Sequence, residues 1–129
     1  MESLSEIAKA CGFDACGVVP VDILSRERER LEQWVERGFH AGMNYMANNM
    51  EKRENPALLV EGARSVIVTL TNYYTPKLQL EGIPVVARYA YGKDYHRVVK
   101  NRLSKLHTCL EEVIGRKITG RVFVDSAPV

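Results

Sequence analysis

Asp125 can give or take a proton, Tyr95 and His96 are adjacent hydrogen-bonding rings, and Arg53 and Arg88 are fixed cations able to clamp an anion or a carbonyl. No two of them form a motif by spacing alone. An Asp closing a strand pattern is most often a turn former whose carboxylate takes the amide hydrogens of Ser126 or Ala127. A His near a helix start is more often structural than catalytic. Around Arg88 the chain adds Lys93, Arg97, Lys100, Arg102 and Lys105, a set that can meet phosphates or simply be solvated. Cys11, Cys16 and Cys109 are odd in number and match neither zinc nor iron–sulfur spacing, so they are expected to be buried thiols of a reducing compartment, with no metal site.

The elements that must position these groups follow from periodicity. Leu4, Ile7, Ala8 and Cys11 recur at helical spacing, Gly12 stops that helix, and Ala15–Val19 is a short strand pattern. Residues 26–37 alternate in charge with Leu31, Trp34 and Val35 on one side, a helix ended by Gly38 with Trp34 as an anchor. Residues 39–50 hold three of the four methionines and read as a short helix filling core gaps. Glu51–Glu54 reads as a charged turn, and Pro56 opens a helical turn. Ser65–Leu70 and Val85–Tyr89 read as central buried strands, and Arg121–Asp125 as a last strand. Between them a long helix runs from Asp94, its N-cap, to Ile114, with Val99, Leu103, Leu106, Leu110 and Val113 as the apolar seam.

This pattern predicts an α/β (α+β) fold, a central mixed sheet of about four strands with helices packed on it, in one domain spanning 1–129. With 46% apolar residues the chain can build one core, and it lacks an apolar run of the ~20 residues a membrane span needs, which places it in the cytoplasm. The net charge of +2 is divided: residues 1–87 hold 9 Lys and Arg against 12 Asp and Glu, residues 88–129 hold 9 against 4. The second part can concentrate an anionic partner.

The run Ala87-Arg88-Tyr89-Ala90-Tyr91-Gly92-Lys93-Asp94-Tyr95-His96, followed by Asn101-Arg102-Leu103-Ser104-Lys105-Leu106 and Phe123-Val124-Asp125-Ser126-Ala127-Pro128, closely resembles the N-terminal part of epoxyqueuosine reductases. Residues 12–18, 40–46 and 52–59 extend the resemblance along essentially the whole chain. It implies an oxidoreductase of queuosine biosynthesis, a tRNA-processing enzyme that uses cobalamin and two [4Fe-4S] clusters to remove the epoxide oxygen of epoxyqueuosine in tRNA. Within that resemblance Asp125 is the proton donor. Arg53 and Ala87 lie at the cobalamin with Arg88 beside them, and Lys93, Arg97, Lys100, Arg102 and Lys105 are the cations available to tRNA.

The iron–sulfur cysteines of such enzymes lie beyond the residues seen here, so the expectation is a cobalamin-binding fragment, inactive alone, that works with C-terminal segments. The alternative is a stand-alone, non-catalytic RNA-binding or self-associating module. Exposed sheet edges favour dimers in either case.

Overall fold

The structure, a computed structural model, describes residues 3–124. They form two compact units, one made of residues 3–17, 67–118 and 122–124, the other of 18–66 and 119–121.

In the first unit, Ser3 starts helix α1 (Leu4–Ala10) with a reciprocal capping box: its hydroxyl accepts from the Glu6 amide while the Glu6 carboxylate accepts from the Ser3 amide. The hydrogen bonds from Ser3 hold the Glu6 carboxyl below its usual range. Helix α4 (Tyr95–Ile114) is capped by the Asp94 carboxylate at its start and by Gly115 in the left-handed region, φ 72°, at its end. The two helices pack together, and the core is what they bury: Ile7, Ala8, Cys11, Phe13 and Leu106, flanked by Leu4, Cys16, Val99, Leu103, Cys109 and Leu110. Each large apolar side chain fully withdrawn from water there contributes roughly 1.5–3 kcal/mol. Four of the five seam positions foreseen on α4 meet this core, whereas Val113 is half exposed.

The second unit carries helix α2 (Ser25–Glu36), a 3₁₀ turn (Asn44–Ala47), helix α3 (Met50–Glu54) and a second 3₁₀ turn (Pro56–Leu58). Arg28 ties α2 to α3, donating to Glu32 at 2.7 Å and to Glu54. Glu51–Glu54 is therefore helix rather than turn. Its start, Asn49, takes the left-handed backbone that Asn tolerates, φ 55°. Phe39 and Tyr45 stand mostly exposed, whereas Met46 and Met50 are half-buried, so residues 39–50 fill a core only in part.

Strands β1 (Ala15–Pro20) and β2 (Ser65–Leu70) pair as a two-stranded sheet. They run antiparallel: the Asp14 amide donates to the Leu70 carbonyl at one end and the Val21 amide to the Arg64 carbonyl at the other. The mixed helix and strand class holds, but the described residues contain two strands, not about four. Residues 85–87 form no ladder, Arg88–Ala90 closes into a 3₁₀ turn, and 121–124 are not strand. The reason is visible in exposure: Val85 is 95% accessible and Leu70 61%, so the β-branched runs lack the neighbours that a central strand needs on both sides. The last strand position, Asp125, lies outside the described residues.

Candidate functional site

Arg53 sits in the last turn of α3 and turns its guanidinium back toward the preceding 3₁₀ turn. It donates from Nη1 to the Met46 carbonyl at 3.0 Å and from Nη2 to the Tyr45 carbonyl at 3.1 Å. Both carbonyls lie at the end of that 3₁₀ turn, where the Tyr45 carbonyl also accepts from the Asn48 amide at 3.2 Å. Two of its five N–H groups are spent in this way, and the remaining donors can serve a ligand. A cleft beside it is lined by Leu24, Arg28, Leu31, Met50 and Glu54.

Arg88 and Ala87 lie in the first unit. Arg88 donates to the Thr75 carbonyl at 2.8 Å and stacks its guanidinium carbon 4.7 Å from the centre of the Tyr74 ring. That grip fixes residues 74–75 against the 3₁₀ turn 13 residues later. No spacing signal in the sequence announces it. Ala87 is exposed and extended, and its carbonyl accepts from the Ala90 amide. From there a run of rings continues: Tyr73 meets Tyr89 edge-on at 6.4 Å, Tyr89 meets Tyr95 edge-on at 5.9 Å, and Tyr95 stacks on His96 at 4.0 Å.

Asp94 organises the start of α4. Its carboxylate accepts from the His96 amide at 3.0 Å and faces the His96 ring Nδ1 at 2.8 Å. The His96 side chain and amide together hold the Asp94 carboxyl below its ordinary range. Beyond it, Lys93, Arg97 and Lys100 are exposed. At 100° per residue Arg97 and Lys100 stand about 60° apart on α4, away from the apolar seam, and Lys93 precedes the helix. Arg102 stands near the edge of that seam and donates to the Gly12 carbonyl at 3.0 Å. Gly12 is required there: its φ is 90°, and a Cβ would meet the Arg102 Nε at 3.2 Å.

Among the described residues no group of three or more His, Cys, Asp or Glu gathers as a metal site, and no helix is long and apolar enough to cross a membrane. The three cysteines gather on the helical core instead. The structure thus places Ala87, Arg88 and the five α4-side cations in one unit and Arg53 in the other. Asp125 falls outside the described residues.

Arginine forks with spare donors in each unit, and exposed cations on α4, stand on a mixed helix-and-strand scaffold. Residues 53–126 match the family described as "Epoxyqueuosine reductase QueG, DUF1730". The chain is 48% identical to an epoxyqueuosine reductase of Leadbetterella byssophila over 95% of its own length and 40% of the relative's. It is 38% identical to one from Vibrio cholerae over 92% and 33%. Its fold is similar to the structure of epoxyqueuosine reductase from Streptococcus thermophilus, with a TM-score of 0.74 and 25% identity over 85% of this chain and 30% of that one. It is also similar to a crystal structure of epoxyqueuosine reductase with a tRNA-Tyr epoxyqueuosine-modified stem loop, with a TM-score of 0.69 and 27% identity over 84% and 30%. The chain belongs to the epoxyqueuosine reductase QueG, DUF1730 family, and it spans 33 to 43% of the length of curated relatives it matches.

Proposed function

We propose that this chain supplies the cobalamin-facing N-terminal part of a cytoplasmic epoxyqueuosine reductase, an oxidoreductase of queuosine biosynthesis that acts on tRNA. The observation that carries the reading is the family match over residues 53–126, a stretch that takes in Arg53, Ala87, Arg88 and Asp125. Cobalamin, when bound, supplies the reducing centre for loss of the epoxide oxygen.

The residues of this chain have separate tasks. Arg53 and Arg88 each keep N–H groups beyond those given to backbone carbonyls, a donor set that fits the amide and phosphate periphery of cobalamin. Ala87, exposed and without a bulky side chain, leaves room for close approach of a large flat group. Asp125 delivers the proton that the departing oxygen needs, for which it must be protonated and within hydrogen-bond reach. Lys93, Arg97, Lys100 and Lys105 meet tRNA phosphates, and Arg102 joins them through the N–H groups it does not give to Gly12. The described residues offer no ligand set for a [4Fe-4S] cluster, so no step is assigned to one. In this reading the chain alone is catalytically inactive. Residues 85–87 and 121–124 complete the sheet of about four strands once the remaining length of the enzyme is present. In its absence the open strand edges favour a dimer.

Titrating the purified chain with cob(II)alamin and following its visible spectrum tests the reading. Saturable binding that weakens at least tenfold in Arg53→Ala supports it. Binding indifferent to both Arg53→Ala and Arg88→Ala, or absent even when the chain is joined to a relative's C-terminal part, overturns it.

A further inference from the structure

Helix α4 packs on α1, and three of its residues reach the end of α1 or the core the two helices share. Arg102 donates to the Gly12 carbonyl, Leu106 fills the core beside Ile7 and Ala8, and Cys109 packs against the cluster to which Cys11 belongs. Lys105 and Cys109 are one turn apart on the same edge of α4, roughly 40° from one another around the axis. Cys11 itself is immobilised as the cap residue of α1, its amide bonded to the Ile7 and Ala8 carbonyls, and is only 5% accessible. Cys109 is partly accessible.

We propose that Cys11 and Cys109 form a reversible thiol–disulfide site joining α1 to α4, with small-molecule disulfides as its oxidant. The proposal is independent of the reductase reading. Burial, followed by the neighbouring Cys109 thiol, pushes the Cys11 thiol above its ordinary value, while the Lys105 ammonium pulls the other way. Reaction therefore begins at the accessible partner. The Cys109 thiolate attacks one sulfur of the external disulfide, whose S–S bond breaks and releases one thiol. Cys11 then loses its proton and attacks the Cys109 sulfur, expelling the second thiol. Two protein thiols and one external disulfide give one protein disulfide and two external thiols, with two electrons passing from protein to oxidant. Cys16 borders the same core from β1 rather than from either helix.

The reduced, purified chain is incubated with glutathione disulfide in native buffer, free thiols are alkylated, and peptides are mapped by mass without reduction. The expected result is a Cys11–Cys109 peptide about tenfold more abundant than either Cys16 pair, lost on adding dithiothreitol. Three cysteines allow three pairs, and the same reaction in urea is expected to yield comparable amounts of each. Oxidation in native buffer is also expected to raise the thermal midpoint, and Cys109→Ser to abolish both effects. A glutathione adduct on Cys109 that persists without the internal link overturns the proposal. So does dominance of a Cys16 pair, a Cys11–Cys109 yield no higher in native buffer than in urea, or no reaction at all.

Discussion

At the residue scale the two arginines show how a side chain can be both structural and available. Arg53 closes the end of a 3₁₀ turn with a two-pronged grip that a point charge cannot reproduce, so Lys at this position keeps the charge and loses the fork. Asp94 offers a cleaner test because its role is local. Its carboxyl is held below the ordinary range by His96. A group whose folded-state pKa is depressed contributes stability fully present above its unfolded value, which is lost as pH falls through the folded value. The contribution is thus fully present at neutral pH, begins to fall below about pH 4 and is gone only once the pH is below the folded value. Asp94→Ala is expected to lower the thermal midpoint by a few degrees at pH 7 and by less at pH 3, a difference thermal denaturation at the two pH values measures directly.

At the element scale, what the sequence made legible was whatever depends on near neighbours. The α4 seam, its Asp94 cap, the α1 face of Ile7, Ala8 and Cys11, and the strand at Ser65–Leu70 all arise from periodicity or capping and all stand in the structure. Strand status for 85–89 and 121–124 was not legible, because a β-branched run becomes a strand only when a partner lies alongside it. The grip of Arg88 on Thr75 and the gathering of Cys11 and Cys109 at one core were equally hidden, being products of tertiary placement. Cys109 did carry one signal, its position three residues after Leu106 on the border of the seam. The weight resting on that seam is testable at its one fully buried member. Leu106 is 3% accessible, and Leu106→Ala is expected to cost about 2–5 kcal/mol, read as a fall in the urea midpoint with an unchanged slope.

At the scale of the whole molecule, charge is arranged along the chain more decisively than the net value of +2 conveys. The excess of cations after residue 87 is carried largely by α4 and its approach, where Lys93 is exposed just before the helix, Arg97 and Lys100 face outward from it and Lys105 stands on another side. Arg102 differs from these four, since one of its N–H groups is engaged with Gly12 and its side chain packs over that glycine. If the outward cations neutralise RNA phosphates, each contact releases counterions, and the affinity for a tRNA anticodon stem loop falls with salt in proportion to their number. Four contacts correspond to a slope of about −3 in log K against log salt concentration, and each one removed reduces its magnitude by roughly 0.7–0.9. Lys100→Ala should therefore weaken binding and flatten the slope by about one contact, whereas Arg102→Ala should act mainly by loosening α4 from Gly12. Fluorescence anisotropy of a labelled stem loop across a salt series distinguishes the two, because loss of a phosphate contact changes the slope and loss of packing changes the thermal midpoint. A slope near zero in the parent chain would assign these cations to solvation alone.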